Sequence, residues 1–153
     1  MNLASTTSRT ALALIAFGSL GACATLEETA AELVAETYNA TLTGAGVAGS
    51  GDVDGYAEAE VTITDELNGI CYDVNNVRNL GTITGAHIHR GQQGMNGPVV
   101  LTFTRANEGG FKNCVARSEW TEDMIEDNPE MFYVQIHTTE YPNGAIRGQL
   151  RSD

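Results

Sequence analysis

From Tyr38 onward, apolar and polar residues alternate in short runs separated by turn residues. Alternation with a period of two marks strands with one buried face. The runs predict strands over Tyr38–Thr43, Tyr56–Thr64, Gly69–Val74, Gly85–His89, Val99–Phe103, Asn113–Ser118, Tyr133–Thr138 and Ile146–Arg151. Between them, Gly44–Gly55, Asn75–Thr84 and Gly91–Gly97 read as loops. Pro98 opens a strand, where its missing N–H does least harm. Pro142-Asn143-Gly144 is a turn that folds the last two strands into a hairpin. Only Thr121–Asp127 departs from the β pattern. It predicts a short helix, with Thr121 as N-cap, acidic side chains in the first turn and Asn128-Pro129 as its stop. Many short strands at close spacing predict an all-β sandwich or barrel.

The first 37 residues follow a different pattern. Residues 1–22 combine a short polar start, the apolar run Ala11–Leu20 and the small-residue site Leu20-Gly21-Ala22-Cys23. The run is too short to span a bilayer, and reads as a signal peptide. The four residues before Ala24 are similar to the lipobox of bacterial lipoproteins, in which the cysteine is lipidated. Cleavage after Ala24 without lipid is the alternative. Residues 23–37 read as a tether, and 38–151 as the folded domain. The chain is thus expected at the bacterial cell envelope, anchored to membrane through Cys23 and facing the periplasm; a soluble periplasmic or secreted form is the alternative.

Three cysteines in an exported chain leave an odd one. With Cys23 lipidated, Cys71 and Cys114 remain as a pair for a disulfide in an oxidising compartment, two free thiols being the alternative. Loss of residues 1–22 removes only Arg9. Seven basic side chains then face 20 acidic ones, a formal charge of −13. Such a surface repels nucleic acid and offers no polybasic patch to anionic lipid, so attachment falls to the acyl chain.

All three histidines lie in two predicted strands, Gly85-Ala86-His87-Ile88-His89-Arg90 and Tyr133-Val134-Gln135-Ile136-His137-Thr138. His87 and His89 share a face, roughly 6.6–7 Å apart along the strand. Together with His137 they form a candidate metal site, since neutral imidazole suits copper and zinc. The competing reading has them hydrogen-bonding at the sheet's end, with His137-Thr138 tied into the Tyr141–Gly144 turn. Arg147 reads as half of a structural ion pair. Asp52 and Asp54 lack the ligand spacing of a calcium loop.

These segments, taken in order, resemble the CHRD domain, the module repeated in chordin and present singly in many bacterial proteins. The resemblance rests on Asn39–Gly44, Gly55–Ala59, Gly85–Gly91, Gly97–Val100, Tyr133–Thr138 and Gly144–Leu150. Asn143-Gly144-Ala145 stands where the family usually has two glycines and Glu, and Arg90 separates His89 from the next glycine. The resemblance implies an immunoglobulin-like antiparallel β-sandwich, similar in layout to copper/zinc superoxide dismutase, with one helical excursion near 121–127. It implies no reaction. Likeness to the dismutase strands puts copper ahead of zinc for His87, His89 and His137.

Enzymatic readings find little support. A binuclear copper/zinc site needs more than three histidines. Ser50 and Ser118 lie outside any nucleophile-elbow pattern, and Cys71 and Cys114 form no Cys-x-x-Cys motif. The sequence therefore favours a non-enzymatic binding module of the envelope for an unidentified protein or metal ligand. A copper- or zinc-binding protein is the alternative, and dismutase-like redox activity comes third.

Overall fold

The structure is a computed structural model, and it describes residues 35–64, 69–105, 110–116 and 119–152. The signal segment, Cys23 and most of the tether lie outside those residues. Nine strands follow in chain order: β1 (Glu36–Thr43), β2 (Tyr56–Thr64), β3 (Gly69–Arg78), β4 (Ile83–Arg90), β5 (Val99–Thr102), β6 (Phe111–Ala116), β7 (Phe132–Thr138), β8 (Ile146–Gln149) and β9 (Arg151–Ser152). One helix, α1 (Glu119–Asp127), and a 3-10 turn at Pro129–Met131 lie between β6 and β7.

All described pairings are antiparallel, in the order β5-β4-β7-β8-β1-β2-β3-β6, with β9 beside β1. The fold is all-β and sandwich-like. Its two layers are halves of one sheet that curls on itself, joined where β1 meets β8 at Thr43 and Arg147. Ala86, Ile88, Leu101, Val134, Ile136 and Ile146 of one half share a single core with Leu42, Val61, Ile70, Tyr72, Val74 and Phe111 of the other. Phe132, Ile125 and Leu150 belong to the same core.

Several predicted boundaries shift, each for a local reason. Strand β3 runs on through Asn75–Arg78, read above as loop, because these polar residues continue to pair with β2 across a bulge. Their side chains work on the solvent face. Asn76 and Tyr56 both bond Glu58, and the Arg78 guanidinium stands 4.3 Å over the Tyr56 ring. Asn76 and Asn79 adopt left-handed φ of 51° and 55°, which asparagine tolerates better than most residues. The helix starts two residues early, at Glu119. Thr121 is therefore inside it rather than its cap, buried on the same inward face as Ile125 four residues on. The last strand breaks at Leu150, which enters the core and donates its N–H to Phe132 O, before Arg151 crosses to pair with Asn39 of β1.

Cys71 and Cys114 stand directly opposite each other on β3 and β6 and form a disulfide. It ties the edge strand β6 to the sheet and encloses a separation of 43 residues. A loop of that size lowers the entropy of the unfolded chain by an amount worth about 4 kcal/mol in the chain-entropy model. Replacing both cysteines with alanine is expected to lower the unfolding free energy by about 2–4 kcal/mol in urea denaturation. Equal stability of the two proteins would show that the bridge constrains little.

Candidate metal centre

Strand β7 pairs with β4 on one side and β8 on the other, and is buried on both faces along nearly its whole length. Val134 and Ile136 face the apolar core. Alternation sends Tyr133, Gln135 and His137 to the opposite face. Register places His89 opposite Tyr133, His87 opposite Gln135, and Gly85 opposite His137. The three histidines thus share the outer face of this half of the sheet. The β4–β5 loop and the β7–β8 hairpin loop supply backbone carbonyls above it.

The rings are close. Centroids are 5.6 Å apart for His87 and His89, 5.0 Å for His87 and His137, and 5.9 Å for His89 and His137. One ring nitrogen from each lies within 4.8 Å of the other two. Gly85 makes room for this. A Cβ there would stand 3.2 Å from His87 Cε1, so a side chain at this position would press on the His87 ring.

Two of the rings have a definite polarity. His89 Nδ1 is 2.9 Å from Gly97 O, and His137 Nδ1 is 3.0 Å from Pro142 O. A carbonyl can only accept, so both rings carry their proton on Nδ1 and hold a lone pair on Nε2. Both Nε2 atoms are buried without a protein partner, and so is His87 Nδ1. The hydrogen-bonding reading of His137 therefore holds for one nitrogen: its Nδ1 is tied into the turn, as Thr138 Oγ1 is by accepting from Tyr141 N. The other nitrogen is left over. Gln135 Oε1 on the same face is also without a partner. An unsatisfied buried polar atom costs about 1–3 kcal/mol, so four on one face form a substantial deficit.

Electrostatics favour the neutral form of His87 and His89. Burial, then the neighbouring His137 and His89, pushes the His87 pKa below the ordinary histidine value. Burial lowers that of His89 as well, against the raising effect of its Gly97 bond. Neutral imidazoles are the form that binds metal.

A further layer escaped the sequence reading. The Tyr133 ring stacks on His89 at 4.9 Å with planes 5° apart, and its hydroxyl accepts from Gly97 N. Gln135 donates to Asn143 O. Gly144 has φ 130° and packs so tightly that a Cβ would lie 2.2 Å from Gln135 Nε2, so glycine is required there. Arg147, expected in an ion pair, is 1% exposed and instead donates to backbone carbonyls, with its guanidinium over the Tyr133 ring. Asp52 serves its own turn by accepting from Asp54 N.

The fold and site define an all-β module with a polar layer of three histidines, one buried and two half-buried, on the outer face of one half of its sheet. Residues 38–150 match the CHRD domain, and the chain belongs to the CHRD family. No curated protein and no solved structure was found to match it.

The pH dependence of stability follows from the lowered histidines. Between the unfolded value of about 6.5 and the lower folded values, the unfolded chain binds protons that the folded chain does not. Stability is therefore full above that window and falls as pH drops through it. Urea midpoints should decline from pH 7.5 to 5.5 in the metal-free protein, and His87→Gln should flatten that decline. A wild-type midpoint unchanged over this range would contradict the account.

Proposed function

We propose that this chain is a non-enzymatic binding module of the cell envelope whose ligand is a first-row transition metal ion held by His87, His89 and His137. The observation that carries the reading is the set of three buried imidazole nitrogens, one per histidine, that lack a protein partner among the described residues. A metal ion accepts three lone pairs at once, whereas no single hydrogen-bond donor does.

The spacing fits. Three nitrogens around one ion at about 2.0–2.1 Å stand about 3.3–3.6 Å from one another. From separations of up to 4.8 Å, each ring needs to move inward by less than about 1 Å. The carbonyls of Gly97 and Pro142 supply the outer hydrogen bonds that metal-binding imidazoles usually have, fixing tautomer and orientation. A donor set of neutral imidazoles suits copper and zinc. Copper leads because the His-x-His strand beside a second histidine strand resembles the copper ligands of the dismutase fold. Among the described residues the cluster consists of the three histidines, a donor set of nitrogen.

Calorimetric titration of the full-length protein with copper(II), and separately with zinc, is expected to give one site per chain. Bound metal should raise Tm in step with free metal over Kd. Binding should weaken as pH falls below about 6, where protons compete for the imidazoles. Binding that survives the His87→Ala/His89→Ala double change, or no binding of either metal, would remove the metal reading.

The envelope part of the reading is supported by Leu20–Cys23 and the apolar run before it. Attachment through a lipid at Cys23 suits a strongly acidic domain, which gains nothing from anionic headgroups. Cys23→Ser is expected to release the protein from the membrane fraction and to lose the acyl mass. A variant that stays membrane-bound with unchanged mass would overturn lipidation.

A further inference from the structure

Arg147 is a buried cation whose contacts among the described residues include no carboxylate. Its Nη1 donates to Met95 O at 2.9 Å, and its Nη2 to Gln92 O at 2.7 Å and to Gln149 Oε1 at 3.2 Å. Cζ stands 3.3 Å from the centroid of the Tyr133 ring. Gln92 and Met95 are the two ends of one turn, closed by Met95 N to Gln92 O at 3.0 Å, with Gly94 at φ 79° inside it. One guanidinium fork thus grips both carbonyls of the β4–β5 loop's turn.

The same loop is tied down twice more. Gly97 N donates to Tyr133 Oη at 3.1 Å, and Gln149 Nε2 donates to Gly91 O at 2.7 Å. Gly97 is enclosed tightly enough that a Cβ would lie 1.6 Å from Arg90 O. What this loop presents to the site is the Gly97 carbonyl, the hydrogen-bond partner of His89 Nδ1. Arg147 therefore reaches His89 by two routes. One runs through the loop backbone to Gly97. The other runs through Tyr133, which contacts Arg147 from β8 and His89 from β4, the strands on either side of it.

We propose that Arg147 is a positioning residue of the histidine site: it holds the β4–β5 loop so that the Gly97 carbonyl fixes His89 as its Nδ1–H tautomer, leaving the Nε2 lone pair free for a ligand. The consequence for affinity rests on the metal reading above, whereas the effect on His89 does not. A residue needed only to fill space here would do better as a hydrophobe, since burying a charge without an anion costs several kcal/mol. Lysine would keep the charge but not the planar fork that spans two carbonyls.

The test compares wild type, Arg147→Met, Arg147→Lys and Tyr133→Phe as full-length proteins. Proton–nitrogen correlation of the imidazoles in the metal-free state reports the His89 tautomer, and copper(II) titration reports affinity. Wild type should show His89 as pure Nδ1–H. Both Arg147 variants should mix tautomers and bind copper about 10–100-fold more weakly, the usual effect of removing an outer partner of a metal ligand. Tyr133→Phe loses only the hydroxyl bond to Gly97 and should shift both readouts in the same direction. It also decides the matter if the Arg147 variants fail to fold. A wild-type tautomer in the folded variants would overturn the proposal, and full rescue by lysine would overturn the role of the fork. If wild type binds no copper, the metal reading falls while the tautomer comparison still decides the role of Arg147.

Discussion

Burial of β7 on both faces is the constraint around which the rest of the molecule is arranged. A strand that faces water on one side can leave its polar residues to solvent. Here Val134 and Ile136 enter the apolar core, while Tyr133 and Gln135 are covered as completely on the other face. Every polar group on that second face then needs a partner from the protein. Two loops supply most of them. The β4–β5 loop receives Arg147, Tyr133 and Gln149, and the β7–β8 loop receives Gln135 and His137. Among the described residues, the atoms of this face left without a partner are one nitrogen on each imidazole and Gln135 Oε1. Unmet capacity is thus concentrated around the histidines rather than spread along the strand.

The glycines follow from the same constraint. Gly97 and Gly144 sit where backbone or a side chain comes too near for a Cβ, and at Gly85 a Cβ would press on the His87 ring. Loops laid directly on a sheet leave no room for side chains between them. Gly144 also has a backbone conformation that few other residues adopt. Sheet, loop and histidine positions are therefore mutually dependent, and the site is built from backbone as much as from side chains.

Much of this was legible in the alternation of residues. Val134, Ile136, Ala86 and Ile88 point inward, so His87, His89 and His137 had to share the other face, and the pairing of β4 with β7 brings them together. Cys71 and Cys114 could be paired once Cys23 was assigned to the lipobox, with two free thiols as the alternative. Other features were hidden because they depend on contacts distant in sequence. Arg147 reads as half of an ion pair, because a buried guanidinium normally finds a carboxylate; its acceptors are carbonyls 52 and 55 residues away. Asn75–Arg78 read as loop because two asparagines and an arginine around Val77 suppress a strand signal, although a solvent-facing ladder tolerates them. Thr121 looked like a helix cap because no sequence rule separates a capping threonine from one turned into a core two residues along.

The disulfide has a bearing on how the molecule is assembled. Its covalent ring runs from Cys71 to Cys114 and contains β4 and β5, hence His87 and His89, but not β7 with His137. The bridge needs only β3 and β6 to meet, both of which emerge before the last quarter of the chain. The histidine trio needs a strand that arrives afterwards. The cystine can therefore close without β7, whereas no fragment ending before β7 can assemble the complete trio.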